Sequence, residues 1–67
     1  MSTFGTRLKE LRNQANLSQQ ELSEIVGISK SSINMYERGE REPGIDTILA
    51  MAMHFGVSTD YLLGRRN

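Results

Sequence analysis

The sequence of 67 residues contains no cysteine, no tryptophan and only one histidine, His54. Without cysteine it forms no disulfide, and a single histidine does not supply the ligand cluster of a structural zinc site. A domain of this size buries only about 60% of the surface that its unfolded chain exposes. Its stability must therefore come from the packing of secondary structure, with or without self-association.

Long hydrophobic runs are also absent. No apolar stretch approaches the roughly 18 residues that cross a bilayer, and the N-terminus lacks the basic-then-apolar pattern of a secretion signal. Because the chain also lacks a phosphate-binding loop and a catalytic cysteine, an enzyme is the least favoured class. We expect a soluble cytoplasmic protein that uses no metal, no cofactor and no small-molecule substrate and contacts no membrane.

No charge of one sign dominates, since eight lysines and arginines balance eight aspartates and glutamates. Many DNA-binding domains are basic, because the release of counterions from phosphates drives much of their affinity. Residues 1–16 hold three basic residues and one acidic residue, whereas residues 17–29 hold only two acidic ones. A basic face can therefore arise only if folding brings the basic residues together. The composition alone does not decide whether the protein binds nucleic acid.

What is present is helical spacing of apolar residues along almost the whole chain, with no sustained strand alternation. We predict a single all-α domain over residues 1–67. Its five predicted helices cover about residues 4–15, 19–26, 30–38, 45–55 and 59–63. Two of them show clear apolar stripes, which we assign to the core: Phe4, Leu8, Leu11 and Ala15 in helix 1, and Ile45, Ile48, Leu49, Ala52 and Phe55 in helix 4.

Serine, asparagine and glycine mark the helix ends. Ser18 and Glu21 have the spacing of a capping box, in which the serine hydroxyl and the glutamate each bond a backbone amide at the start of a helix. Ser29 is predicted to begin helix 3 in a similar way. Helix 1 is expected to begin after Ser2 or Thr3 and to end at Asn16, because asparagine tolerates the left-handed conformation found there.

The segment Gln19–Arg38 has the organisation of a helix-turn-helix. Small Ser23 stands where two steeply crossing helices would touch. Gly27 then supplies the unusual backbone angle that begins the turn. With Ile33 and Tyr36 facing inward, the opposite side of helix 3 is left available to a groove.

This segment, LSQQELSEIVGISKSSINMYERG over residues 17–39, resembles the Cro-and-phage-repressor type of helix-turn-helix, the XRE family. The likeness continues through Pro43 and residues 55–63 and covers about residues 4–64. Ser23 stands where the family usually has alanine, and Tyr36 where tryptophan or leucine is common. The resemblance implies a compact five-helix bundle of the lambda-repressor-like DNA-binding type, with the helix-turn-helix at helices 2 and 3.

The outward side chains of helix 3 are suited to reading base edges in the major groove. Lys30 could donate to guanine O6 and N7, Asn34 could form paired bonds to adenine N6 and N7, and Met35 could contact a thymine methyl group. The resemblance points most directly to Lys30, Ser31 and Met35. The alternative for this face is an ordinary solvated helix surface. The predicted base contacts are Lys30, Ser31, Asn34 and Met35.

Phosphate contacts are expected at the start of helix 2, where amides and the helix dipole attract anions. The resemblance implies that Gln19 also braces the recognition helix. Basic residues near helices 1 and 3 could reach flanking phosphates, although a solvated surface charge is the alternative for each. The predicted backbone contacts are Ser18, Gln19, Arg38, Arg41, Arg7 and Lys9.

The resemblance further implies an ion pair between Arg12 and Glu37, which would join helix 1 to the end of helix 3. Two unrelated surface charges are the alternative. Ala50, Met53 and Ile25 are apolar but lie away from the predicted core stripes, so they are candidates for a dimer surface. Related domains pair through the region after Pro43 and helix 5, and we expect contact there.

The predicted function is that of a transcriptional regulator, a repressor that binds a palindromic operator on double-stranded DNA as a homodimer. A protein-interaction module that keeps the fold without specific DNA binding is the alternative. The zero net charge favours that alternative, as do Glu40 and Glu42, which lie beside the predicted phosphate contacts. A strong dependence of DNA binding on salt would distinguish the two.

Overall fold

The computed structural model describes residues 3–65, which form five α-helices and no strand. The helices are α1 (Thr3–Gln14), α2 (Gln19–Val26), α3 (Lys30–Glu37), α4 (Ile45–Phe55) and α5 (Thr59–Leu62). The all-α fold with five helices is confirmed, and every predicted boundary lies within one residue of the observed one. None of these helices is both long enough and apolar enough to span a membrane.

Serine side chains begin three of the helices. The Ser18 hydroxyl accepts from the Glu21 N–H at 3.0 Å, and the Ser18 N–H donates to the Glu21 carboxylate at 2.8 Å, so the predicted capping box is confirmed. The bond from the Ser18 backbone N–H lowers the pKa of Glu21, with a smaller contribution from its hydroxyl, because both favour the ionised carboxylate. Ser29 and Ser58 accept from amides of α3 and α5 in the same way.

Asn16 ends α1 in the left-handed conformation, with φ of 57°. The Leu17 N–H donates to the Arg12 carbonyl at 3.1 Å, which is the long-range bond of a Schellman cap. The prediction for Asn16 is therefore confirmed. Thr3 is the first residue of α1 rather than its cap, and Ser2 lies outside the described residues.

One hydrophobic core draws side chains from all five helices. Phe4 and Tyr36 meet edge to face within it, with ring centroids 5.9 Å apart, and this contact joins α1 to α3. Leu11, Val26, Ile48 and Phe55 pack against the core and stay partly exposed. The buried apolar residues are Phe4, Leu8, Leu22, Ile33, Tyr36, Met51, Ala52 and Leu62.

Three residues of the predicted stripes do not lie in the core. Ala15 follows the end of α1 and is exposed, while Ile45 and Leu49 on α4 are 73% and 46% exposed. Met51, which was not predicted to be buried, is fully enclosed. Because α4 carries apolar residues around most of its circumference, their spacing could not determine which side would be buried, and packing against the other helices turned Met51 inward.

Candidate nucleic-acid interface

The turn between α2 and α3 adopts the geometry that the sequence predicts. Gly27 has φ of 74° and ψ of 24°, and its N–H donates to the Ser23 carbonyl at 2.9 Å. A Cβ at Gly27 would meet no atom within 4 Å, so the need for glycine comes from the backbone angle and not from crowding. Two residues later Ser29 begins α3, with its hydroxyl accepting from the Ser32 N–H at 3.1 Å.

Two buried side chains, Ile33 and Tyr36, fix the inward side of α3. Their burial confirms the predicted orientation of this helix. Of the four predicted base contacts, Lys30 and Ser31 are exposed on the first turn, whereas Asn34 and Met35 are half-buried on the second. The N-terminal half of α3 is therefore its more accessible part.

An ion pair ties α1 to the end of α3. The Arg12 guanidinium donates through Nε to Glu37 Oε2 at 2.7 Å and through Nη2 to Glu37 Oε1 at 2.9 Å. It also donates to the Leu17 carbonyl at 2.8 Å. The side chains of Arg12 and Glu37 are 11% and 3% exposed, and the hydrogen bonds to Glu37 raise the pKa of Arg12. These bonds hold the C-terminal end of α3 against α1.

Gln19 extends this network to the middle of α3. Its Nε2 donates to Glu37 Oε1 at 3.0 Å and to Asn34 Oδ1 at 3.3 Å. The first residue of α2 therefore contacts two successive turns of α3 through one amide group. This is the bracing contact that the family resemblance implied.

At the start of α2, Ser18 and Gln19 stand where an anion would meet the helix N-terminus. The Ser18 hydroxyl accepts from the third amide of the helix, which leaves the first two amides without intrahelical acceptors. Oriented amides at the positive end of a helix dipole are suited to phosphate. Both residues thus lie at a position compatible with a backbone contact.

The predicted phosphate-binding cations have different surroundings. Arg38 follows α3 and forms an exposed ion pair with Glu40 at 2.8 Å. Arg41 donates to the Ser32 hydroxyl at 3.1 Å, beside α3. Lys9 is exposed on α1. The structure therefore places Arg38 and Arg41 close to α3, where a groove-bound helix would meet flanking phosphates.

Arg7 is engaged elsewhere. Its guanidinium donates to the Tyr61 carbonyl at 2.8 Å and lies over the Tyr61 ring, 4.2 Å from the centroid. These contacts hold α1 against α5 and favour a structural role for Arg7. Its predicted phosphate contact stays a prediction.

Sequence reasoning missed two residues that shape this interface. The Ser32 hydroxyl accepts from the Arg41 guanidinium and from the Ser29 hydroxyl, the latter at 3.0 Å between the two oxygens. It therefore links the start of α3 to the turn that follows α3. Gly5 lies inside α1, and a Cβ there would collide with the carbonyl oxygen of Tyr36. A glycine within a helical pattern was the available signal for such a close approach.

Comparison with known proteins supports a functional interpretation of this geometry. A family model described as helix-turn-helix matches residues 8–62. The transcriptional regulator ImmR of Bacillus subtilis is 43% identical over 63 residues, which cover 94% of this chain and 50% of ImmR. The chain thus spans about half the length of that relative.

Solved structures of other proteins share the fold. The restriction-modification controller protein C.AhdI from Aeromonas hydrophila is 34% identical with a TM-score of 0.82, covering 91% of this chain and 92% of that one. The c2 repressor of Salmonella phage P22, in complex with a synthetic operator, is 35% identical with a TM-score of 0.84. That match covers 90% of this chain and 91% of the repressor chain.

The chain belongs to the helix-turn-helix family. The resemblance to phage repressors drawn from the sequence is confirmed, and the members named above are regulators and a controller protein rather than enzymes.

Proposed function

We propose that this chain binds double-stranded DNA sequence-specifically as a transcriptional regulator, with α3 in the major groove. The observation that carries the proposal is the way in which α3 is held. Buried Ile33 and Tyr36 anchor one side, and the bonds of Glu37 with Arg12 and Gln19 fix its end. The other side presents mostly polar side chains on a rigid helix, which is the arrangement that direct readout of bases requires.

Individual roles follow from position. Lys30, Ser31, Asn34 and Met35 are the proposed base contacts. Ser18 and Gln19 bind a phosphate at the start of α2, and Arg38 and Arg41 bind phosphates beside α3. Lys9 reaches a flanking phosphate from α1. Arg7 is a weaker candidate for a phosphate contact, because its guanidinium already contacts Tyr61.

A homodimer on a palindromic operator is the proposed assembly. One short recognition helix reads only a few base pairs, so two half-sites about one helical turn, ~34 Å, apart provide the required specificity. Ile45, Leu49 and Met53 recur every four residues along α4 and are 73%, 46% and 81% exposed. Leu63, after α5, is 42% exposed. These residues lie in the region after Pro43, where we place the contact between protomers.

The proposed mechanism is repression by occlusion of a promoter, which involves no covalent chemistry. The operator complex of the P22 repressor, which shares this fold, supports that proposal. The chain would act in the cytoplasm of a bacterium, as a chromosomal or phage-encoded regulator, because the similar proteins are bacterial and phage regulators.

Selection of bound sequences from a random duplex pool at near-physiological salt tests the function. We expect enrichment of an inverted repeat. Lys30→Ala should change the base preference at one position per half-site, at a cost of about 1–3 kcal/mol for the parental base. Lys9→Ala is the matched control, which removes the same charge from a proposed phosphate contact. It should weaken all sequences alike and reduce the salt slope by about 1.

A folded protein that enriches no sequence at any salt concentration would contradict the proposal. That outcome would favour the protein-interaction module. The Arg38–Glu40 pair supports this alternative, because Glu40 neutralises a cation next to α3 that would otherwise be available to phosphate. Identical effects of the two lysine variants on every position would contradict the role of Lys30 while leaving DNA binding intact.

A further inference from the structure

The chain reverses its direction directly after α3. Gly39 has φ of 73°, and its N–H donates to the Tyr36 carbonyl at 3.1 Å. The Glu40 N–H donates to the Met35 carbonyl at 2.9 Å. These two bonds form a Schellman motif, which ends a helix and turns the chain. Arg41 follows this turn, so its side chain lies beside α3 and not beyond its end.

Two contacts hold the Arg41 guanidinium on α3. Its Nη1 donates to the Ser32 hydroxyl at 3.1 Å. Its Cζ lies 5.8 Å from the centroid of the Tyr36 ring, within the range of a cation–π contact. Ser32 is half-buried and Tyr36 is buried, and the Ser32 hydroxyl is 3.0 Å from that of Ser29. The helix itself therefore determines where both partners of Arg41 lie.

Both contacts leave the charge of Arg41 available, because neither a hydroxyl nor an aromatic ring neutralises a cation. Within residues 3–65 no carboxylate lies within ion-pair distance of its guanidinium. Arg38, by contrast, is paired with Glu40 at 2.8 Å. A guanidinium carries five N–H donors in a planar fork that suits phosphate, and Ser32 accepts from only one nitrogen. Arg41 is therefore both oriented by its neighbours and able to bind an anion.

Arg41 lies on the flank of α3 that faces away from α2. Residues two apart on a helix point about 200° apart, so Ser32 and Asn34 lie on opposite flanks. Asn34 contacts Gln19 of α2, whereas Ser32 contacts Arg41. A phosphate bound by Arg41 would therefore be distinct from the phosphate proposed at the start of α2.

We propose that Ser32 is a positioning residue for DNA binding, which holds Arg41 against α3 in the orientation in which the guanidinium binds a phosphate of the operator. This inference rests on the proposed function. A free arginine side chain loses rotamer freedom when it binds, and that loss lowers affinity. Because Ser32 and Tyr36 already restrict Arg41 without DNA, less freedom remains to be lost. Ser32 thus raises affinity without reading a base.

Ser32→Ala removes the hydroxyl and keeps the backbone N–H that bonds Ser29 at the start of α3. Titration of an enriched operator duplex at several salt concentrations should show a loss of affinity of about three- to tenfold, the effect of ordering one long side chain. The plot of log affinity against log salt should keep its slope, because Arg41 retains its charge and its phosphate contact. Ser32→Thr restores the hydroxyl and should restore the affinity.

Arg41→Ala provides the second arm of a double-mutant cycle. It should make the salt plot shallower by about 0.9, because one phosphate contact is lost. Ser32→Ala added to Arg41→Ala should cost no further affinity, since no guanidinium is left to position. Ser23→Ala, which removes a serine hydroxyl from α2, is the matched control and should leave affinity unchanged in both backgrounds. Thermal unfolding of each variant without DNA verifies that it is folded.

The cycle distinguishes positioning from a structural role or a direct DNA contact. If Ser32→Ala lowers affinity equally with and without Arg41, Ser32 acts on the fold or touches DNA itself, and the positioning proposal is overturned. Parental affinity of the Ser32→Ala protein would overturn it as well. In both cases the operator is still enriched and the regulator stands. A folded parent that enriches no sequence contradicts the proposed function, and the role of Ser32 fails with it.

Discussion

Arginines in this protein differ mainly in what surrounds them. Arg12 is almost enclosed with Glu37, whereas Arg38 lies in an exposed pair with Glu40. Arg7 is committed to Tyr61 on α5. A net charge of zero therefore says little about DNA binding, because the charges near α3 are not equivalent. Burial determines which pairs support the fold, and exposure determines which cations a phosphate can reach.

The Arg12–Glu37 pair should be important for stability. Arg12→Ala would leave the Glu37 carboxylate, 3% exposed, without its guanidinium. Removal of one partner from a buried pair costs about 3–5 kcal/mol, and we expect ~3 kcal/mol because Arg12 keeps some contact with solvent. Denaturant unfolding monitored by circular dichroism measures the change. Arg38→Ala, which breaks an exposed pair, should change stability by less than about 1 kcal/mol. An Arg12→Ala protein that unfolds at the parental midpoint would refute the structural role.

Glu40 should weaken DNA binding, because its carboxylate competes with phosphate for Arg38. Glu40→Gln is expected to raise affinity and to steepen the plot of log affinity against log salt by up to about 0.9, the full effect of one phosphate contact, because Arg38 no longer exchanges between Glu40 and phosphate. Titration of a duplex at several salt concentrations measures both quantities. Glu42→Gln changes the net charge equally without affecting that ion pair. Equal effects of the two variants would show that overall charge, and not the release of Arg38, is responsible.

At the scale of the helices, short-range sequence signals and long-range packing determined different features of the fold. Ser18, Ser29 and Gly27 act through bonds and backbone angles within a few residues, and each was correctly predicted. The burial of Met51 and the exposure of Ile45 depend on how α4 is turned against its neighbours. Local patterns therefore located the helices, whereas the buried side of α4 depended on residues distant in sequence.

Gly5 illustrates the long-range case and yields a prediction. Alanine is better than glycine inside a helix by about 0.8–1 kcal/mol, so Gly5→Ala would be stabilising if α1 stood alone. In the structure the new Cβ would collide with the backbone oxygen of Tyr36, which no rotamer change relieves. Because overpacking typically costs about 1–3 kcal/mol, we expect a net loss of stability in thermal unfolding.

Gly44→Ala is the control for that measurement. Gly44 precedes α4 with φ of −75°, and a Cβ there meets no atom within 4 Å. Its substitution should change stability by less than about 1 kcal/mol. If Gly5→Ala were as stable as Gly44→Ala, the close approach of α1 to α3 would not be a constraint on the sequence.

The whole molecule presents two surfaces of different chemistry. The outward side of α3 is largely polar, while α4 exposes a stripe of Ile45, Leu49 and Met53. Repeated exposed apolar residues on one helix are typical of an interaction surface. The proposed homodimer would form through this stripe, so that one recognition helix from each protomer reads one half-site of the operator.

Dimerisation is tested by Met53→Glu. Met53 is 81% exposed, so a charge there should be tolerated by the monomer. Two glutamates brought together at a two-fold interface repel each other and lose water, which should raise the dimer dissociation constant at least tenfold, or ~1.4 kcal/mol. Sedimentation equilibrium measures this constant, and duplex selection should then recover single half-sites. Ile25→Glu makes the same change at the exposed apolar residue of α2, and a dimer weakened by Ile25→Glu but unaffected by Met53→Glu would place the contact on α2.

The sequence by itself determined the number, order and bounds of the helices, because caps and glycine turns act over a few residues. It also placed the proposed recognition surface on α3, since the inward positions of a short helix define its outward ones. Only the tertiary structure turned α4 so that Met51 is buried, brought Gly5 against Tyr36, and connected Arg12, Glu37, Gln19 and Asn34 into one network. These features depend on distances between helices far apart in the chain, and hydrogen-bond direction depends on which atoms the packing brings into contact.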